Sequence, residues 1–190
     1  DIYTEGITKI TTEDFAYAKK MERSIKLLAS SKKTDGTYAC MVAPFMLDKS
    51  HPLCNVNDVF NSVFVHGNML GDAMFYGSGA GKLPTASAVV ADVVDAAKHL
   101  NRNIMTMWKE EKLKIEDKAD AKRRFFIRMK GNVEDMLSKI QYSFGDVEII
   151  KVPELEDEFG FITPVMMEGD YDTRAARFGD QILHMIRIQD

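Results

Sequence analysis

Tyr76-Gly-Ser-Gly-Ala-Gly-Lys-Leu-Pro-Thr-Ala-Ser-Ala-Val-Val-Ala-Asp-Val-Val-Asp95 is the stretch from which the rest of the chain is read. A strand ending at Tyr76 feeds a bend holding Gly77, Gly79 and Gly81, and a helix is predicted from near Thr85. Thr85 is the expected N-cap, with Pro84 before it discouraging an earlier start. Alternate glycines allow positive φ and let a ligand or another backbone come close. Free N–H groups at the positive end of the helix dipole suit an anion or a polar cofactor group. Ala86, Val89, Val90, Val93, Val94 and Ala97 form one stripe of the helix, while Ala88, Ala91 and Ala96 keep another side thin. Gly77 to Lys82 imitates a phosphate-binding P-loop, but that motif needs four residues between its glycines and Ser or Thr after the lysine. Three residues separate Gly77 from Gly81, and Leu83 follows Lys82, so a nucleotide triphosphatase is excluded. The same spacing also fits a tight strand-to-helix connection with no ligand.

The 190 residues suffice for one ordinary domain or two small ones. Hydrophobic content of 45% and charged content of 28% describe a soluble globular protein. A net charge of −4 gives no reason to expect nucleic acid or an anionic membrane as partner. Cys40 and Cys54 are too few for a disulfide framework, stand in no metal-ligand spacing, and read as buried thiols of a reducing, cytoplasmic compartment. No metal site is expected. No apolar run reaches bilayer length, and the N-terminus lacks the regions of a signal peptide. The chain opens at Asp1 and enters a strand-like segment at once, from which a piece of a longer protein is expected.

Residues 1–101 read as a sheet with helices. Ile2 to Ile10 is a short extended segment, after which Thr11 caps a helix to about Met21, with Asp14 in position to close a capping box. Ile25, Leu27 and Ala29 alternate with Lys26, Leu28 and Ser30 as a strand, Asp35-Gly36 is a hairpin turn, and Cys40 to Phe45 returns. Pro44 places that return strand near an edge or a strand end. Beyond the Asp48-Lys-Ser-His-Pro52 turn, Val59–Val65 and Ala73–Tyr76 add strands. Four or five largely antiparallel strands, apolar on both faces, predict a sheet covered by helices on one side and by a partner on the other. Residues 102–122 are a linker, rich in charge, with short helical turns expected around Trp108 and Leu113. From Arg123 the pattern is β-α-β-β-α-β. Phe125, Ile127 and Met129 alternate, Val133, Met136, Leu137 and Ile140 fall at helical spacing, and Val147–Val152 and Phe161–Met167 are strands across the acidic turn Glu154 to Glu158. A short helix from Thr173 to Phe178 leads to a last strand, Leu183 to Ile188. That order is the ferredoxin-like plan, which names no activity alone.

Glu5-Gly-Ile, Thr11-Thr-Glu-Asp-Phe-Ala-Tyr-Ala, Ile25-Lys-Leu-Leu, Asp48-Lys-Ser-His-Pro-Leu, Asn61-Ser-Val-Phe-Val and Met74-Phe-Tyr-Gly-Ser-Gly-Ala-Gly-Lys-Leu-Pro-Thr-Ala-Ser-Ala-Val-Val-Ala-Asp together resemble homoserine dehydrogenase over residues 2 to about 98. Residues 123–190 resemble the ACT regulatory domain that many bacterial members carry at the C-terminus. The resemblance implies an α+β chain: a largely antiparallel sheet with helices from the substrate and dimerisation domain, followed by a ferredoxin-like βαββαβ ACT domain. It implies an oxidoreductase that interconverts aspartate semialdehyde and homoserine with NAD or NADP, on the route to threonine, methionine and isoleucine. The family's dinucleotide fingerprint, catalytic lysine and substrate-binding acids are expected upstream of Asp1, so no catalytic residue is assigned here. The chain alone is expected to be inactive and to hold no cofactor tightly. Its expected partners are a second copy of itself and the missing N-terminal nucleotide-binding domain of the same chain.

By the resemblance, Gly81 matches the glycine whose backbone approaches the nicotinamide end of the cofactor, with Gly79 and Thr85 as neighbours. His51 matches a family histidine near the substrate domain's loops, but position alone favours the plainer reading of a residue fixing the turn before Pro52. Glu5 either lines the active site or closes a strand end. ACT domains usually open their first helix with an Asp-x-Pro-Gly turn, and here Asn132, Glu134 and Asp135 stand at the Asp, Pro and Gly positions. The Asp135 carboxylate fills the glycine's space and repels an amino acid's own carboxylate, so this effector site is degenerate and L-threonine is expected to bind weakly or not at all. The alternative to an enzyme fragment is a non-catalytic amino-acid-binding or dimerisation module.

Overall fold

A computed structural model describes residues 2–189 and divides them into two compact units, 2–54 with 113–189, and 55–112. This grouping differs from the sequence boundaries at 101 and 122. Its cause is strand pairing between the two ends of the chain.

In the first unit, β1 (Tyr3–Thr4) precedes α1 (Thr12–Lys20). The Thr11 N–H donates to Asp14 Oδ2 at 2.8 Å, so the acid three residues into the helix satisfies a backbone donor that would otherwise have no intrahelical partner. Two long strands, β2 (Arg23–Thr34) and β3 (Thr37–Asp48), form a hairpin whose turn residues Asp35 and Gly36 have φ of 48° and 82°, the left-handed pair that a two-residue hairpin requires. After Leu113 the chain adds β6 (Lys122–Lys130), α3 (Val133–Phe144), β7 (Glu148–Ile150), β8 (Glu158–Ile162), β9 (Met166–Met167), α4 (Glu168–Ala175) and β10 (Ile182–Gln189). The sheet runs β1-β3-β10-β6-β8-β7, with β2 beside β3. β10 pairs antiparallel with β6 and parallel with β3, where Arg187, Ile188 and Gln189 face Phe45, Met46 and Leu47.

Alternation in β6 sorts the core onto two faces. Phe125, Ile127 and Met129 meet Met136, Ile140 and Phe144 of α3 and Tyr171 of α4, while Phe126 points to the other side with Ile186 and Ile188. That second face is covered by Tyr17 and Ala18 of α1, so the N-terminal helix roofs the strands contributed by the C-terminal part of the chain. Gly160 of β8 lies under this roof. A Cβ there would fall 2.6 Å from Phe126 Cε2 and 3.0 Å from Tyr17 Cε1.

In the second unit, β4 (Phe60–Gly67) and β5 (Gly71–Ser78) form a two-stranded hairpin, followed by α2 (Lys82–Lys98).

Several expectations need correction. The first-half strands do not make one sheet: β1 to β3 join the C-terminal strands, and β4 pairs only with β5. Pro44 lies in an interior strand, opposite Leu27 on one side. On the other side it falls between β1, which pairs as far as Val42, and β10, which begins pairing at Phe45. That break lets a residue without an N–H sit inside a sheet. No helical turn forms at Trp108 or Leu113, and Trp108 is 86% exposed. The expected strand Phe161–Met167 is divided into β8 and β9, and the last helix begins at Glu168 rather than Thr173. Among the described residues, no helix is long and apolar enough to cross a membrane.

Candidate functional site

The glycine bend lies in the second unit, between β5 and α2. Gly79 donates its N–H to the Val59 carbonyl at 3.3 Å, and Ser78 Oγ donates to the Ala80 carbonyl at 3.2 Å. The helix cap is Gly81, not Thr85. Gly81 has φ of +117°, and its carbonyl accepts the Thr85 N–H at 3.1 Å, which places Thr85 within the first turn. Pro84 fails to delay the helix because the first-turn N–H it lacks has no intrahelical acceptor in any case. Two glycines are demanded by geometry. Gly81 needs its positive φ, and a Cβ on Gly79 would lie 2.0 Å from Asn61 Nδ2, whereas one on Gly77 would meet nothing within 4 Å. The glycine cap leaves the first helical turn exposed, with no side chain hydrogen-bonded over it. Such a turn presents backbone donors and the positive dipole end to a polar or anionic group.

Around this bend the second unit is apolar on its surface. α2 buries no residue; Val89, Val90, Val93 and Val94 of its stripe are exposed, Leu83 is 82% exposed, and Phe75 of β5 is 69% exposed. Large apolar side chains left exposed in this number mark a candidate interaction face.

His51, by contrast, is tied into its own turn. Its N–H donates to the Asp48 carbonyl at 3.0 Å, its Nδ1 accepts the Leu53 N–H at 3.2 Å, and its carbonyl accepts the Cys54 N–H at 2.9 Å. Those contacts start the 3-10 turn Pro52–Asn55. Asn132 caps α3, with Oδ1 accepting the Glu134 N–H at 2.8 Å. Glu134 is exposed and 3.7 Å from Lys151, and Asp135 is exposed in the same first turn. His51 lies in the first unit and the glycine bend in the second, and Asn132, Glu134 and Asp135 form a separate local group at the start of α3.

Two buried ionic clusters escaped the sequence reading. On the α1 face, Arg128 spans Asp14 at 2.9 Å and Glu158 at 2.7 Å and donates to Thr11 Oγ1 at 2.8 Å, while His184 Nδ1 lies 2.8 Å from Asp14 Oδ2. On the other face, Arg187, 1% exposed, holds Glu168 through a two-pronged contact and Glu5 at 2.7 Å. Lys118 joins Glu168 at 3.5 Å and Asp172 at 3.1 Å. Glu5 is thereby committed to an arginine near the chain's other end. The available signal was an arginine or histidine inside an otherwise apolar strand, as in Phe126-Ile-Arg-Met and His184-Met-Ile-Arg-Ile.

Burial pushes the Asp14 carboxyl up, but hydrogen bonds from His184, the Thr11 N–H and Arg128 outweigh it and hold it below its ordinary value of 3.8. Glu5 is likewise held below 4.5, its burial outweighed chiefly by Arg187, with Tyr3 and His184 adding to the effect. A carboxyl lowered on folding stabilises the native state fully above its unfolded value and loses that contribution as the pH falls toward its folded one. The urea midpoint should therefore hold steady from about pH 7 to 5 and decline below about pH 4.5, with Asp14→Asn flattening the decline. A midpoint unchanged down to about pH 3 would contradict these assignments.

The homoserine dehydrogenase family model matches residues 1–94. The homoserine dehydrogenase of Neisseria gonorrhoeae is 45% identical over 96 residues, which cover 50% of this chain and 22% of that protein. That of Mycobacterium leprae is 35% identical over 195 residues, covering 96% of this chain and 41% of that protein. The crystal structure of a homoserine dehydrogenase from Thiobacillus denitrificans superposes with a TM-score of 0.82 at 25% identity, over 98% of this chain and 47% of its own. The chain thus spans less than half the length of each of these relatives.

Proposed function

We propose, from the match of residues 1–94 to the homoserine dehydrogenase family model, that the chain is the C-terminal portion of such an enzyme. In this reading the whole enzyme interconverts L-aspartate 4-semialdehyde and L-homoserine with NAD or NADP, in the cytoplasm, on the route to threonine, methionine and isoleucine. Residues 1–101 supply part of the substrate and dimerisation domain, 102–122 connect, and 123–190 form an ACT regulatory domain. The observation that carries the reading is the Gly79–Gly81 bend, which lies inside the matched segment and opens a helix turn with no side-chain cap to its surroundings. Gly81 and Gly79 bring backbone close to the cofactor's nicotinamide end, and the Thr85 hydroxyl stands one turn along. The cofactor, when bound, supplies the hydride chemistry; these residues only position it. The exposed valines of α2 and the β4–β5 hairpin provide apolar surface for the nucleotide-binding domain and for a second copy of the chain.

The ACT reading draws support from the order β6-α3-β7-β8-β9-α4-β10, which is β-α-β-β-α-β apart from the two-residue β9, and from the strand sequence β10-β6-β8-β7. Asn132, Glu134 and Asp135 leave that domain a degenerate effector site, so it serves pairing more than amino-acid binding. The 190 residues contain no dinucleotide fingerprint following a strand. Purified alone, the chain should therefore oxidise no NADPH in the presence of aspartate semialdehyde, and calorimetry with L-threonine should show no micromolar binding. Turnover on the order of 1 per second would overturn the fragment reading. Micromolar threonine binding would overturn the degenerate effector site.

A further inference from the structure

The two buried ionic clusters lie on opposite faces of one sheet, and both bind the segment before Cys54 to the segment after Leu113. Each takes a side chain from β10. His184 reaches Asp14 of α1, and three residues later Arg187 reaches Glu5, next to β1. The direct ladder between β3 and β10 is only three residue pairs long. The joint also rests on the apolar packing of Tyr17 and Ala18 against Phe126, Ile186 and Ile188, and a buried ion pair opened on one side leaves the other charge uncompensated in the interior. If the Glu5 segment left the sheet, Arg187 would keep Glu168 but lose its second carboxylate. If α1 left, Asp14 would abandon Arg128 and His184 together.

We propose that β10 is the clasp of a conformational coupling: Arg187 on one face and His184 on the other lock the C-terminal β-α-β-β-α-β unit to the segment carrying Glu5 and α1, and both contacts open and close as one. An event that displaces β10 is then transmitted at once to residues 3–5 and to α1, within the family-matched segment. A change at Glu5 travels back the same way. The coupling stands on these contacts alone and goes beyond the functional reading above.

Residue-resolved amide hydrogen exchange on the full chain tests it. Asp14→Asn should raise exchange about tenfold in residues 3–5 as well as in residues 12–20, and Glu5→Gln should do the same in reverse. The β4–β5 hairpin should be unchanged in both. Should each variant loosen only its own segment, the two contacts are independent and the coupling is refuted. Glu5 is partly exposed and its amide replacement keeps a hydrogen-bond acceptor for Arg187. If Asp14→Asn fails to fold, the Glu5→Gln variant alone decides: loosened residues 12–20 uphold the clasp, and unchanged ones refute it.

Discussion

Arg128→Met should lower the unfolding free energy by about 3–5 kcal/mol, because it strands two carboxylates in the interior. Asp14 is fully buried, and Glu158 is nearly so. The guanidinium joins them across α1 and β8, and His184 also reaches Asp14. The size of the loss reflects uncompensated charge rather than the net worth of the ion pairs. It follows that adding Asp14→Asn and Glu158→Gln to Arg128→Met should recover a large part of the stability, since a neutral set has no unpaired charge to solvate. Urea unfolding of the single and triple variants distinguishes the cases. A triple variant less stable than Arg128→Met would show that the ions contribute by attraction, contrary to this account.

Phe126→Ala is expected to cost about 3–5 kcal/mol, the range for deleting a fully buried phenyl ring. Phe126 packs against Tyr17 with ring centroids 5.3 Å apart and fills the space over Gly160. In the native background Gly160→Ala should itself cost about 1–3 kcal/mol, since the added methyl group meets the Phe126 ring. In the Phe126→Ala background the same methyl enters the vacated space, so the two losses should fall short of additive by more than about 0.5 kcal/mol. Strict additivity would mean that α1 does not press Tyr17 and Phe126 onto this strand.

Local chemistry made much of the fold legible. Asp35-Gly36 announced its hairpin because few other pairs adopt two successive positive φ values. Thr11 with Asp14 placed α1, and the spacing of Met136 and Ile140 placed α3, because each signal is contained within one or two turns of chain. What escaped is what depends on residues far apart in sequence. Nothing in β3 indicates that its neighbour is β10, about 140 residues later, so Pro44 read as an edge signal when it falls in a break between two partners. Nothing in α1 shows that its apolar face serves the C-terminal sheet. Thr85 was mistaken for the cap because hydroxyl residues favour that position, but Gly81 reaches a positive φ that Thr85 cannot adopt cheaply. Arg187 and Glu168 could be suspected as charges beside apolar residues, yet their pairing needs the folded sheet.

Exchange into a relative tests most directly whether the chain is the C-terminal share of a homoserine dehydrogenase. The Mycobacterium leprae enzyme aligns with 96% of the chain and would supply the remainder of the molecule. A chimera in which these 190 residues replace the aligned segment should consume NADPH with aspartate semialdehyde, and Gly81→Val in that chimera should abolish the rate while leaving it folded. A folded chimera with no NADPH consumption, or one indifferent to Gly81→Val, would contradict the account.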